Sequence, residues 1–302
     1  MANTKTNRQA YDEACRKILV NKWILAWLLQ ACAIEFKNLA INDIAQKYID
    51  GTPEICQVKV NDTLEVETLA NEDKSVNEGT IVYDIKFKAM APTIIGEVQL
   101  IVNVEAQNKF SEGYPLIKRG IYYGCRLISA QHGPIFVKSN YEKIQKVYSI
   151  WICPRPNPKY HNTITEYKFM ENNIHGTVHE EEQNYDLMSV VIIGLGKKRK
   201  KDIKNLPVID LLRTIFVDKI SQHERTLILK NNYNVQLTAE DEKELETMCN
   251  LSEGLIEEGI SIGEKTGAEK LLIELVKDKI ISIAEAAKRA DMTEAQFASM
   301  LQ

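Results

Sequence analysis

Two segments decide the reading of this chain: Ile81-Val-Tyr-Asp-Ile-Lys-Phe-Lys-Ala89 and, a few residues further on, Glu97-Val-Gln-Leu-Ile-Val-Asn-Val-Glu-Ala-Gln107. In the first, Ile81, Tyr83, Ile85, Phe87 and Ala89 alternate with Val82, Asp84, Lys86 and Lys88. In the second, Val98, Leu100, Val102, Val104 and Ala106 form an apolar set. Glu97, Gln99, Ile101, Asn103, Glu105 and Gln107 form the opposite one. Period-2 alternation is the mark of strands with one face in a core. Pro92 and Gly96 punctuate the interval, so the pair reads as a hairpin. Facing residues in an antiparallel pair have numbers with a constant sum. A turn centred between Ile94 and Ile95 fixes that sum at 189 and sets Asp84 opposite Glu105.

Working outward, Arg8 to Lys37 has helical periodicity, with Tyr11, Cys15 and Ile18 on one stripe and Ile24, Trp27, Leu28 and Ala31 on another. A short helix over Ile41 to Ile49, closed by Gly51-Thr-Pro53, is expected next. Ile55 to Val60 alternates as a strand does, and Asn71 to Gly79 is a polar loop. Pro115 opens a helix reaching about Ala130. Val147 to Cys153 and Ser189 to Ile193 read as buried strands separated by a long polar segment. Leu211 to Ile220 reads as a helix, and beyond Gln236 the chain is helical throughout.

The chain has 302 residues, 44% hydrophobic and 26% charged, which excludes a disordered or collagenous protein and a small disulfide scaffold. Its six cysteines are scattered without CxxC pairs, as for buried thiols in a reducing compartment. The first twenty residues are polar and charged, so no signal peptide is read. The longest apolar stretch, Trp23 to Ile34, has 12 residues against the roughly 20 that a membrane span needs. A cytoplasmic protein is expected. The net charge of −4 is unevenly spread: from Gln236 onward fifteen acids face seven bases, a net −8, which leaves +4 on the first 235 residues. That division allows a polyanionic partner for the body and argues against one for the tail.

Two like charges opposed across a ladder are destabilising unless something positive lies between them. Mg²⁺ is held by one or two carboxylates with water and phosphate oxygens, and it serves phosphodiester hydrolysis by activating water and neutralising developing charge. Asp84 and Glu105 therefore suggest metal-assisted phosphodiester cleavage. The plain alternative is that Lys86 and Lys88 neutralise both acids on a solvated face.

The pattern Tyr83-Asp84-Ile85, a hairpin turn and Val104-Glu105-Ala106-Gln107 resembles the core of PD-(D/E)XK nucleases, and more narrowly the PD-(D/E)XK nuclease family transposases, or recombination-promoting nucleases. The resemblance runs upstream to Tyr11-Asp12-Glu13-Ala14 and Glu35-Phe36-Lys37. Downstream it takes in the helix from Tyr114 to Gln131, Ser252-Glu253-Gly254 with its spaced glycines, and Ile283-Ala284-Glu285-Ala286-Ala287. It implies Asp84 and Glu105 as ligands of Mg²⁺ or Mn²⁺, the carbonyl of Ala106 completing the site, and Asp12 as an additional site carboxylate. Read from the helix alone, Asp12 is equally an early acid favoured by the macrodipole. Gln107 stands where the motif has lysine, so it can position water by hydrogen bonding but adds no charge. Val82-Tyr83 stands where the motif's proline would be.

The helix after the hairpin sets Arg119, Tyr122, Tyr123 and Arg126 at helical spacing, and the resemblance implies DNA phosphate contacts from Arg119 and Tyr123. Either tyrosine is alternatively core. Lys197 to Lys201 after Gly194-Leu-Gly196 lacks phosphate-loop spacing. His175 and His179 beside Glu180, Glu181 and Glu182 read as a polar loop. Thr293 and Gln296 form a capping box, but the helix they open lacks Lys and Arg, which favours a protein contact over DNA readout.

The expectation is an α/β protein with a restriction-endonuclease-like core: a mixed sheet, the Asp84–Glu105 hairpin at its centre, flanked by helices. Residues 1–235 form that nuclease-like domain, and 236–302 a helical appendage that permits homo-oligomers. The function expected is a metal-dependent DNA endonuclease of transposition or recombination. The alternative is a catalytically degenerate DNA-binding or oligomerising protein of a mobile element.

Overall fold

The computed structural model of the protein describes residues 2–51, 53, 72–73, 81–82, 85–93, 96–106, 114–196, 206–290 and 292–301. Helices α1 (Ala2–Leu19), α2 (Lys22–Cys32) and α3 (Ile41–Asp43) come first, and α3 runs into a π-helical turn at Ile44–Tyr48. Strands β1 (Glu72–Asp73), β2 (Ile81–Val82), β3 (Ile85–Thr93) and β4 (Gly96–Ala106) follow. Then come α4 (Leu116–Ser129), β5 (Val147–Cys153), β6 (Thr163–Lys168), α5 (Glu182–Tyr185) and β7 (Met188–Gly194). The chain ends in α6 (Pro207–Phe216), α7 (Gln222–Tyr233), α8 (Ala239–Lys277), α9 (Ile283–Arg289) and α10 (Glu294–Ser299).

The protein is α/β, and it divides into two compact units. One is Asp12–Thr247. The other is Met1–Tyr11 with Met248–Gln302. The division falls inside α8, later than the expected boundary at residue 235. The reason is that the first turns of α8 are tied to the N-terminal helices of the larger unit. Lys17 Nζ reaches Glu244 Oε1 at 2.9 Å. Asn21 caps α2 through Oδ1 while its Nδ2 donates to Gln236 O and Asp241 Oδ2.

The larger unit is built on a five-stranded mixed sheet in the order β3-β4-β5-β7-β6. Its central strands, β5 and β7, are buried at every position, as strands covered on both faces must be. The β3–β4 pairs run from Ile85↔Val104 to Thr93↔Gly96, all summing to the expected 189. The hairpin's position differs from expectation, however: β3 is an edge strand rather than the centre of the sheet. With Lys88 exposed, β3 lacks the two apolar faces that let β5 and β7 occupy the middle. Of the expected strand from Ile81, Ile81–Val82 pair with β1 in a separate two-stranded ladder and Ile85–Thr93 pair with β4. The expected strand at 55–60 lies outside the described residues.

Helix α4 connects β4 to the parallel β5 and lies on β5 and β7. Leu116, Tyr123 and Leu127 pack there with Ile101, Trp151 and Val190. Two glycines one turn apart make this close approach possible. A methyl group at Gly120 would stand 2.6 Å from Val190 Cγ1 and 3.1 Å from Trp151 Nε1, and one at Gly124 would collide with Met188 Sδ. On the other sheet face, Tyr148 and Ile150 are fully buried and Glu35 of the Ile34–Phe36 turn bonds to the Tyr148 hydroxyl.

In the smaller unit, Leu272 of α8, Ala286 and Ala287 of α9, and Phe297 of α10 form one apolar cluster. Ser282 caps α9, and Thr293 with Gln296 closes the capping box that opens α10.

Gly120→Ala is expected to lower stability in a urea melt by about 1–3 kcal/mol of overpacking, outweighing the roughly 1 kcal/mol that alanine gains as a helix former. Gly124→Ala is expected to cost less, because the flexible Met188 side chain can swing aside. Equal or stabilising effects of the two would contradict this packing.

Candidate functional site

Glu105 stands at the carboxyl end of β4, next to Trp151 of β5 in the parallel ladder. Strand alternation puts it on the face that α4 covers, with Ile101, and there it is only 4% exposed. Lys86 and Lys88 share that face, Lys86 paired with Asn103 and so diagonal to Glu105. A carboxylate this buried is not on the solvated face that the plain alternative requires, and an ionised group so placed needs a positive partner.

The α4 helix supplies a cation there. Arg119 lies 5.1 Å from the Tyr123 ring centroid and 5.4 Å from that of Trp151, within the range of cation–π attraction. Its Nη2 and Nε donate to the Tyr123 hydroxyl at 2.9 and 3.2 Å. Tyr123 and Trp151 pack with ring centroids 5.2 Å apart, and Trp151 Nε1 donates to Ser149 Oγ. Burial alone would lower the Arg119 pKa. Tyr123, by charge and hydrogen bond, then Tyr114 and Glu105, raise it above its ordinary value. The guanidinium is thus held cationic in the field of Glu105, with its orientation set by two aromatic rings.

The structure brings together Glu105, Arg119 and Tyr123 of the expected site residues. Tyr123 is core, and its hydroxyl serves Arg119. Tyr122 is 41% exposed and does not share the buried face. Asp12 sits past the middle of α1, partly exposed, so the macrodipole at a helix start does not account for it. Asp84 and Gln107 lie outside the described residues, as does the basic run 197–201. The side chains of 252–266, which include three of the spaced glycines, are outside them too. Among the described residues no three His, Cys, Asp or Glu side chains gather as a metal group. No described helix is long and apolar enough to cross a membrane.

A second polar cluster, which sequence reading missed, lies at the opposite, amino-terminal ends of β5 and β7. Lys146 Nζ bonds Glu35 Oε1 at 3.0 Å and Asp186 Oδ2 at 2.5 Å, and sits 4.9 Å from the Tyr148 ring centroid. The Tyr148 hydroxyl donates to Glu35 Oε2 at 2.7 Å. Burial, then the Glu35 charge, push its pKa well above the ordinary phenol value, so it stays a donor. Nearby Cys32 is pushed up to about 12 by burial and Glu166, so its thiol is not a nucleophile at neutral pH. This cluster anchors the N-terminal segment to the sheet. Its signal was faint, because Glu35 and Asp186 are 111 and 40 positions from Lys146.

No protein-family model, curated protein or solved structure matches the chain.

Lys146→Ala leaves two mostly buried carboxylates without their shared cation. It is expected to lower the unfolding free energy by about 3–5 kcal/mol, measured by chemical denaturation. A loss below about 1 kcal/mol would show the cluster to be solvated rather than structural.

Proposed function

We propose that the chain is a metal-dependent DNA endonuclease of the PD-(D/E)XK kind, with a restriction-endonuclease-like core and a role in transposition or recombination. The observation that carries this reading is the burial of Glu105 at the carboxyl end of β4, beside an oriented arginine, in a hairpin whose pairs sum to 189. The same register continued by one residue would pair Asp84 with Glu105. Those two carboxylates and the carbonyl of Ala106 are hard oxygen donors suited to Mg²⁺ or Mn²⁺, and Asp12 is the candidate for a further ligand. When bound, the ion supplies an activated water and charge neutralisation at the phosphoryl group. Gln107 would hold the water by hydrogen bonding, and Arg119, steadied by Tyr123, would contact a phosphate oxygen as a planar fork.

A second reading is favoured by the glutamine at position 107: without the motif lysine, the chain would retain DNA but not cut it. Plasmid nicking in Mg²⁺ or Mn²⁺ separates the readings. Asp84→Ala and Glu105→Ala are each expected to reduce divalent-dependent cleavage by at least about a hundred-fold, with the fold intact by circular dichroism. Cleavage at the wild-type rate in either variant would refute the assignment. DNA retention by the wild type without any cleavage would favour the binding protein.

A further inference from the structure

The two edges of the sheet are treated differently. On the β3 side, Ile49 forms an antiparallel bridge to Ala89 and Asp50 N–H donates to Lys88 O, so that edge is partly covered. On the other side, β6 pairs with β7 alone among the described strands. No described strand lies beyond β6, and its last four residues are exposed. An open strand edge is a template for pairing with another chain.

The backbone of β7 fixes which β6 groups face outward. Leu187 O accepts from Val147 N–H and Leu195 N–H donates to Cys153 O, so odd-numbered positions of β7 serve β5. Even-numbered positions then serve β6 through the pairs Thr163↔Gly194, Thr165↔Ile192 and Tyr167↔Val190. By the same alternation, Ile164, Glu166 and Lys168 turn their N–H and C=O groups to the open side.

We propose that this edge binds a second copy of the chain, β6 against β6 in antiparallel register centred on Tyr167. The sequence Ile164-Thr-Glu-Tyr-Lys-Phe-Met170 is complementary to itself in that register. Glu166 falls opposite the second copy's lysine 168 at the outward-bonding positions, and the crossed pair repeats by symmetry. Tyr167 meets its own copy, Thr165 meets phenylalanine 169, and Ile164 meets methionine 170. Shifting the register by one pair either way sets Glu166 against itself or Lys168 against itself, which like charges disfavour. Pairing would also cover apolar side chains that are now in water, since Phe169 is 55% and Met170 80% exposed. Glu166 accepts from Ser189 through one oxygen and Lys168 donates one proton to Glu182, so both retain capacity for the crossed pair. The product is a two-fold dimer with one continuous ten-stranded sheet, an isologous arrangement in which one patch binds itself.

Light scattering and sedimentation velocity on the full chain test this, with circular dichroism checking each fold. The wild type is expected at twice the 34.4 kDa chain mass. Lys168→Glu is expected to weaken the dimer about tenfold, because it turns both crossed pairs into repulsions. Adding Glu166→Lys to that variant is expected to restore it. With Cys125→Ser removing the exposed thiol among the described residues, Tyr167→Cys is expected to form an interchain disulfide on mild oxidation, whereas Thr165→Cys does not. A wild type that stays at 34.4 kDa overturns the proposal. So does a dimer indifferent to Lys168→Glu and not cross-linked through Tyr167→Cys, which would use another face.

Discussion

The close seat of α4 on β5 and β7 is the constraint from which the chemistry of this protein follows. Without side chains at Gly120 and Gly124, the helix backbone approaches the strands where any Cβ would meet Val190, Trp151 or Met188. That approach buries Tyr123 against Trp151 and fixes the level of Arg119 along the sheet. The arginine is thereby held in the field of Glu105 at the carboxyl end of β4. A side chain on a loop could swing away from a buried carboxylate. One clasped by the Tyr123 and Trp151 rings and bonded to the Tyr123 hydroxyl has little freedom to do so, and preorganised charge of this kind is what polar catalysis uses.

The sheet separates two kinds of polar chemistry. At its carboxyl end, on the α4 face, the described residues set Glu105 in the field of one oriented arginine. At its amino end, on the other face, Glu35 and Asp186 share Lys146, and a tyrosine hydroxyl completes the set. In the second group three of the four carboxylate oxygens are hydrogen-bonded, with Asp186 Oδ1 the exception, and the phenol is locked as a donor, which suits an anchor. Open α/β sheets bind ligands outside the carboxyl ends of their strands, and of these two groups the Glu105 one occupies such a place.

Much of the fold was legible because it is local. Alternation from Ile85 to Ala106 restricts the hairpin to registers of odd sum, a turn centred between Ile94 and Ile95 selects 189 among them, and the pairs observed follow it. The runs from Val147 to Cys153 and from Ser189 to Ile193 announce double burial by having no polar face. Strand order was not legible, since it depends on how segments far apart in sequence pack; hence the hairpin lies at the edge. Strand β6 was overlooked although Thr163, Ile164, Thr165 and Tyr167 favour extended backbone, because an edge strand with both faces wet carries no apolar period. Of the site, the sequence offered Glu105 and Arg119 as types. The placing of Arg119 in the field of Glu105 depends on Trp151, which only the three-dimensional packing brings there. The helix wheel could not divide Tyr122 from Tyr123, since adjacent positions differ by less than a third of a turn and either fitted the stripe.

On the proposed function, Asp84 and Glu105 act on one ion. Calorimetric titration of Mn²⁺ into the wild type, Asp84→Asn, Glu105→Gln and the double variant measures their coupling directly. Each single change is expected to weaken Mn²⁺ binding, with the second adding little to the first, a coupling of about 0.5–3 kcal/mol. Losses that simply add, or Mn²⁺ binding untouched by either substitution, would contradict it.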